Sequence, residues 1–283
     1  MREAVSVPSV AARKRARGAA PIVMVTAYDT PFARIVDEAG ADVILVGDSV
    51  GNNVLGYENS LAVDMGQMIH HVAAVARAKP AALVVGDLPW MSYHVDLADT
   101  VRNAAALVRA GAQAVKLEGG RRRIPAVRAI LDAEIPVMGH LGLTPQSVHA
   151  MGGYVVQGKD ADAARQVEDD ACALDEAGCF AVVLEGLPDL VAERVTASID
   201  VPTIGIGAGP ACDGQVLVLH DLLGLSFGPA PKFVRRYADL GTAAREAIAA
   251  FARDVVAGSY PSPDETYHAS AELRRNLKKA SAR

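Results

Sequence analysis

One pattern constrains this chain more than any other. Short β-branched apolar runs recur along it, each followed by a longer stretch with helical spacing. The runs occupy residues 22–26, 43–47, 83–86, 114–117, 136–139, 181–184 and 203–206, with a weaker candidate at 222–226. Most are apolar at nearly every position instead of alternately, which marks strands buried on both faces, as in a parallel sheet covered by helices. The stretches between them are alanine-rich and amphipathic. Residues 64–78 open on Asp64 and set Met65, Met68, Ile69 and Val72 on one face. Residues 96–110 run from Asp96 to a terminal Gly111, and Asp160 and Gly178 bracket a third stretch. Aspartate is a good N-cap and glycine a good left-handed terminator. The phrases EAGAD, RAGAQ and EAGCF, at 38–42, 109–113 and 176–180, repeat one device: a helix end, a glycine, the next strand. About eight β/α units with no compositional break predict an α/β fold, a (β/α)8 TIM barrel in a single domain. The barrel is expected over 21–260, with a lead-in segment at 1–20 and a tail at 261–283. A closing helix is expected from about 238 to Gly258. A doubly wound open sheet is the structural alternative.

Composition removes several classes of function. Hydrophobic residues make up 51% of the 283, too many for a disordered chain. The net charge is −5 and aromatics are only 5%, which argues against nucleic acid as a partner. No apolar stretch approaches the length of a membrane span. Arg13, Lys14, Arg15 and Arg17 have no apolar segment behind them, so they read as a solvated lead-in helix and not as a secretory signal. The chain is therefore expected to be cytoplasmic, with no membrane partner. Its cysteines, Cys172, Cys179 and Cys212, contain no C-x-x-C, and Cys172 and Cys179 share one face of a predicted helix. Buried small apolar side chains are the expected reading, with zinc or a redox pair as the alternative.

Barrels of this kind carry their chemistry where the strands exit. Tyr28 and Asp29 follow the first run, Asp48 and Ser49 the second, Asp87 the third. Glu118, His140 and Glu185 follow the fourth, fifth and sixth, and Lys116 lies two residues before Glu118, pointing to the same side. Any one aspartate here reads equally as a helix cap. The set does not, because lysine, glutamate and histidine are poor caps. Asp48, Asp87 and Glu118 on neighbouring strands would repel one another unless a cation or proton sits among them. A hard divalent ion such as Mg²⁺ suits an all-oxygen set that also uses substrate oxygens. Glu185 is expected at the barrel mouth with little polarity around it, where desolvation favours a general base. A cap or an ion pair with Lys116 is its plainer reading.

Three further features stay open at this level. His70 and His71 diverge by about 100° on a helix and read as packing or surface residues. The glycines of 204–209 permit close approach of backbone to a ligand, or simply tight packing. Arg121–Arg123 reads as a solvated rim or an anion contact.

At these positions the chain resembles the ketopantoate hydroxymethyltransferase family. The resemblance is carried by MVTAYD at 24–29, VGDS at 46–49, LGY at 55–57 and GDLPW at 86–90. It continues through VKLEGG at 115–120, GHLGLTPQ at 139–146, GGYVVQG at 152–158 and VLE at 183–185. IGIGAGPACDGQVLVLHD at 204–221 and PKFVRRY at 231–237 close the set. The resemblance implies a (β/α)8 barrel that transfers a hydroxymethyl group from 5,10-methylenetetrahydrofolate to the 2-oxo acid 3-methyl-2-oxobutanoate. The product is 2-dehydropantoate, on the route to pantothenate and coenzyme A, formed through a Mg²⁺-stabilised enolate. It further implies Asp48, Asp87 and Glu118 at the metal, and Asp48, Ser49, Asp87 and Lys116 on the oxo acid. Glu185 falls on the proton acceptor, His140 and Tyr28 are possible additional residues, and a large homo-oligomer, a decamer in bacterial members, is implied. The chain departs from the family's usual form around Asn53 and Asn59, in the arginine triplet after Glu118, and at Gly186, where cysteine is common. A lyase or mutase of the isocitrate-lyase type on the same barrel would be expected to carry a catalytic cysteine in a K-K-C-G-H-like loop, which this chain lacks.

Overall fold

The structure is a computed structural model and describes residues 2–226 and 228–280. Eight parallel strands close into a barrel in sequence order: β1 Ile22–Thr26, β2 Val43–Val46, β3 Leu83–Asp87, β4 Ala114–Lys116, β5 Val137–Gly142, β6 Ala181–Glu185, β7 Thr203–Ile206 and β8 Gly214–Leu217. The helices are α1 Val7–Ala11, α2 Thr30–Glu38, α3 Met65–Ala76, α4 Leu97–Ala110, α5 Ile124–Asp132, α6 Val148–Met151, α7 Ala161–Ala177, α8 Asp189–Ser198, α9 Leu219–Leu223, α10 Leu240–Ala257 and α11 Ala271–Ala280. The caps are those the sequence signals. Asp64, Asp96 and Asp160 accept from first-turn N–H groups, and Gly111 and Gly178 end their helices in the left-handed region. The closed order excludes the open doubly wound sheet.

Two apolar layers follow from the period of two along each strand. Inward-facing Met24, Val43, Leu45, Val85, Met138, Val183 and Ile204 fill the barrel, and Val10 of α1 seals the end opposite the strand exits. Outward-facing Ile44, Val46, Val84, Val115, Leu141 and Leu184 pack against the helices. The lead-in is less solvated than expected. Lys14 is buried, paired with Asp213 at 3.1 Å and donating to the carbonyls of Thr196 and Val201.

The eighth strand departs from expectation. The weak candidate at 222–226 is not a strand, since α9 takes its first two residues and no strand follows there, and β8 lies earlier. The cause is the β7–β8 connection, residues 207–213, which turns back without a helix and so breaks the alternation on which the reading rested. Cys179 likewise lies beyond the helix, after its Gly178 cap. All three cysteines are free thiols, with Cys179 and Cys212 buried. The expected closing helix exists as α10, but it buries none of its residues. Correspondingly, Val23 on the outer face of β1 is 50% exposed, and its neighbour Gln215 on β8 is also exposed.

Candidate active site

The strand exits converge on one cavity of about 1130 Å³, lined by Asp48, Ser49, Asp87, Lys116, Glu118, His140 and Glu185 among others. Parallel register brings them together. Asp87 and Lys116 are direct partners across β3 and β4, and Gly142 stands opposite Glu185 across β5 and β6. Gly142 has φ +91°, and a Cβ there would collide with the Glu185 carbonyl, so only glycine lets the backbone approach this closely. Tyr28 is buried beside the set, its hydroxyl 2.9 Å from Ser49 Oγ. Asp29 is not part of it; its carboxylate caps α2 by accepting from the Phe32 N–H.

The polar groups form one connected network. Lys116 Nζ lies 2.7 Å from Asp87 Oδ1 and 3.3 Å from His140 Nδ1. Asp87 Oδ2 accepts the backbone N–H of Asp48 at 3.1 Å. His140 stands between two acids, Nδ1 at 3.4 Å from Glu118 and Nε2 at 3.3 Å from Glu185. Glu185 therefore does not sit among apolar groups alone, as its neighbours in sequence suggested; an imidazole from the adjacent strand faces it. All of these side chains are buried except that of Glu185, which keeps 17% of its surface.

Sequence reasoning missed Gln146, the residue that ties the acids together. Its backbone N–H donates to Glu118 at 3.0 Å, and its side-chain amide donates to Asp48 Oδ2 at 2.9 Å and to the Leu88 carbonyl at 3.0 Å. Tyr93, equally unforeseen, donates to Gln146 Oε1 at 2.6 Å and accepts the Glu118 N–H at 3.2 Å. A signal existed in the run GHLGLTPQ, which ends on this glutamine, but a polar residue nine positions from its strand start gives no hint of reaching back across the mouth. Ser60 also lines the cavity, buried and with no hydrogen-bond partner for its hydroxyl among the described residues. Of the open features, His71 donates from Nδ1 to the Tyr28 carbonyl at 2.8 Å, and Arg123 stacks on the Tyr93 ring at 5.7 Å.

The electrostatics are those of an anionic pocket closed off from water. Burial, reinforced by Asp87 and Glu118, pushes Asp48 up to about 8 despite Lys116 and Gln146. Burial also raises Asp87, with Lys116 opposing. Burial works against the charge on Lys116 too, but Asp87, Glu118 and Asp48 hold it firmly protonated. Burial and Lys116 disfavour a cation on His140; the hydrogen bonds to Glu118 and Glu185 outweigh them and hold it up to about 9. Glu118, whose burial alone would raise it, is drawn below the usual carboxylate range by His140, Lys116 and the Gln146 amide.

Among the described residues no three His, Cys, Asp or Glu side chains are grouped tightly enough to cage an ion by themselves. Magnesium does not need a cage, because it binds through one or two carboxylates and completes its shell with water and substrate oxygens. Asp48 and Asp87 form such a pair, destabilised as anions by their own proximity, and their donors are oxygens only. Glu118, both of whose oxygens face protein donors as those of Asp87 also do, stands beside that pair as a third oxygen donor group.

Residues 5–263 match the family model described as ketopantoate hydroxymethyltransferase. The 3-methyl-2-oxobutanoate hydroxymethyltransferase of Methylobacterium sp. (strain 4-46) is 57% identical over 256 residues, covering 90% of this chain and 89% of its own. The enzyme of the same name from Koribacter versatilis (strain Ellin345) is 56% identical over 91% of this chain and 88% of its own. Solved structures share the fold at low identity. A 2,3-dimethylmalate lyase of the PEP mutase/isocitrate lyase superfamily superposes with TM-score 0.59 at 15% identity, covering 99% of both chains. Phosphonopyruvate hydrolase, solved with oxalate and Mg²⁺, gives TM-score 0.57 at 14% identity over 98% of both. Identity over nearly the whole chain, together with a cavity assembled from the family's motif positions, decides the matter: this chain belongs to the ketopantoate hydroxymethyltransferase family and is a hydroxymethyltransferase.

Proposed function

We propose that this chain transfers the one-carbon unit of 5,10-methylenetetrahydrofolate to 3-methyl-2-oxobutanoate, giving 2-dehydropantoate for pantothenate synthesis, with Mg²⁺ bound at Asp48 and Asp87. The observation that carries the reading is the placement of Glu185, the most accessible carboxylate of the network, on the same cavity as the Asp48–Asp87 pair and held by His140 at 3.3 Å. When bound there, Mg²⁺ supplies Lewis acidity at the keto group and so acidifies the neighbouring C3–H. Lys116 and Ser49 bind the oxo acid's carboxylate end, with Lys116 kept charged by the acids around it. Glu185 removes the C3 proton as general base. His140, protonated between Glu118 and Glu185, faces Glu185 with its charge and orients it. Gln146 fixes Asp48 and Glu118 so that neither swings away. A C–C bond forms between C3 and the methylene carbon and a C–O bond forms from water, both of that carbon's C–N bonds break, and the C3 proton and one water proton end on the nitrogens of the departing tetrahydrofolate.

The enzyme also works as a homo-oligomer on this reading. Leu240, Ile248, Phe251 and Val255 form a largely exposed apolar stripe along α10, Phe251 meeting the Tyr260 ring edge-on, while Val23 and Gln215 are exposed on the outer face of β1 and β8. A second copy supplies what each surface lacks. No helix among the described residues is long and apolar enough to cross a membrane.

The reaction is tested by supplying oxo acid, methylenetetrahydrofolate and Mg²⁺, omitting each in turn, and measuring 2-dehydropantoate by mass spectrometry. Product formed equally well without folate or without any divalent ion would refute the corresponding part of the reading.

A further inference from the structure

The acidic network uses only one side of the barrel mouth. Asp48, Asp87, Lys116, Glu118, His140 and Glu185 all come from β2 to β6 and their exits. The cavity continues past them to a second side, built by β7, β8 and the segment that follows, where Ile206, Gly207, Val216, Val218 and Phe233 form an apolar wall. A five-carbon acid fills a small part of 1130 Å³. On this second side the described lining residues include a single carboxylate, Asp221.

We propose that the second side seats the pterin ring of the one-carbon donor and that Asp221 reads the ring's pyrimidine edge. The inference rests on the folate co-substrate proposed above and deepens it. Three observations support it. First, the wall carries an aromatic side chain, Phe233, 37% exposed. Gly207 has φ +62°, and a Cβ there would stand 2.7 Å from Phe233, so the phenyl ring rests directly on bare backbone. Second, Asp221 is aimed and not merely solvated. Its Oδ1 accepts the Ser226 hydroxyl at 2.6 Å, and that hydroxyl also lies 3.4 Å from Asn53 Oδ1 on the opposite loop. Asp221 itself lines the cavity and is only partly buried, which leaves its carboxylate open to a ligand there. Third, the chemistry selects the ligand. A carboxylate is acceptor-only, and it repels an oxo acid, which is itself an anion with acceptors alone. The 2-amino-4-oxopyrimidine edge of a pterin offers N3–H and the amino N–H side by side, a pair of donors matched to a carboxylate. Asp221 is thus a specificity residue for the donor substrate, and Ser226 positions it.

The test uses the full chain with Mg²⁺ and tetrahydrofolate, binding being followed by calorimetry, and the C3-proton exchange of the oxo acid followed by NMR as a readout that needs no folate. Asp221→Asn should weaken tetrahydrofolate binding by about 10- to 100-fold, and raise KM for methylenetetrahydrofolate accordingly. Ser226→Ala should weaken it less. A tetrahydrofolate analogue without the 2-amino group should bind the natural chain poorly but lose little more on Asp221→Asn, because the contact it lacks is the one already removed. Unaltered tetrahydrofolate binding in both variants overturns the assignment while leaving the folate reading intact. Loss of C3 exchange together with folate binding also overturns it, since Asp221 would then act on the fold. A natural chain that exchanges the C3 proton but binds no tetrahydrofolate sinks the folate reading, and this inference with it. Should Asp221→Asn not fold, the analogue on the natural chain and Ser226→Ala decide the question.

Discussion

Nε2 of His140 lies 3.3 Å from Oε2 of Glu185, although 45 residues separate them and each stands on its own strand. Glu185 keeps 17% of its side-chain surface and is faced by an imidazole that itself stands 3.4 Å from Glu118. The arrangement orients the proposed base from behind. Glu185→Gln keeps the shape but removes the proton acceptor, so oxo-acid binding should persist while C3-proton exchange falls by about 10²- to 10⁴-fold. Proton NMR in D₂O reads this directly, and wild-type exchange would remove Glu185 from the role.

Asp48→Asn and Asp87→Asn each delete one charge from the proposed ion site. A carboxylate about 4 Å from a divalent ion contributes several kcal/mol at an effective dielectric near 20, so Mg²⁺ affinity should drop on the order of 100-fold. Calorimetric titration checks this; unaltered affinity in both variants would place the ion elsewhere.

The same acids set a pH dependence for the ion-free protein. Asp48 is raised from 3.8 to about 8 in the folded state, so the native chain binds this proton more tightly than the unfolded one. Stability therefore falls as pH climbs between those values and levels off above the higher one. His140, raised from 6.5 to about 9, acts in the same direction, its contribution present at low pH and lost as pH rises through the folded value. Thermal melting without divalent ions should show a lower Tm at pH about 9 than at pH about 6. Added Mg²⁺, which favours the ionised acids, should raise Tm more at the higher pH. A Tm that rises with pH in the ion-free protein would contradict the charge balance described.

Gln146→Ala strips partners from Asp48 and Tyr93 and from the Leu88 carbonyl at once. Each buried polar group left unsatisfied costs about 1–3 kcal/mol. Chemical denaturation should register a loss of at least that size, accompanied by weaker Mg²⁺ binding. Loss of stability without any change in ion affinity would make Gln146 a purely structural residue.

Ile248→Asp combined with Phe251→Asp places charge on the uncovered stripe of α10. Since both residues are more than half exposed, the fold should survive while the oligomer dissociates. Analytical ultracentrifugation reads the change; an unaltered sedimentation coefficient would exclude α10 from the interface.

The barrel was legible along the chain because its two signals are local. Mostly apolar runs of four or five residues mark doubly covered strands, and an aspartate before and a glycine after stretches such as 97–110 and 161–177 mark the caps. Position at a strand exit, also local, singled out Asp48, Asp87, Lys116, Glu118, His140 and Glu185 before any folding was known. What local order cannot carry is the distance between strands. Barrel closure alone brings His140 against Glu185, and lets Gln146, from a turn beyond β5, reach Asp48 beyond β2. The helix-free connection before β8 and the isolation of α10 belong to the same class. Both depend on which surfaces lie within reach of one another in three dimensions, and an amphipathic helix reads identically whether its apolar face meets its own barrel or another.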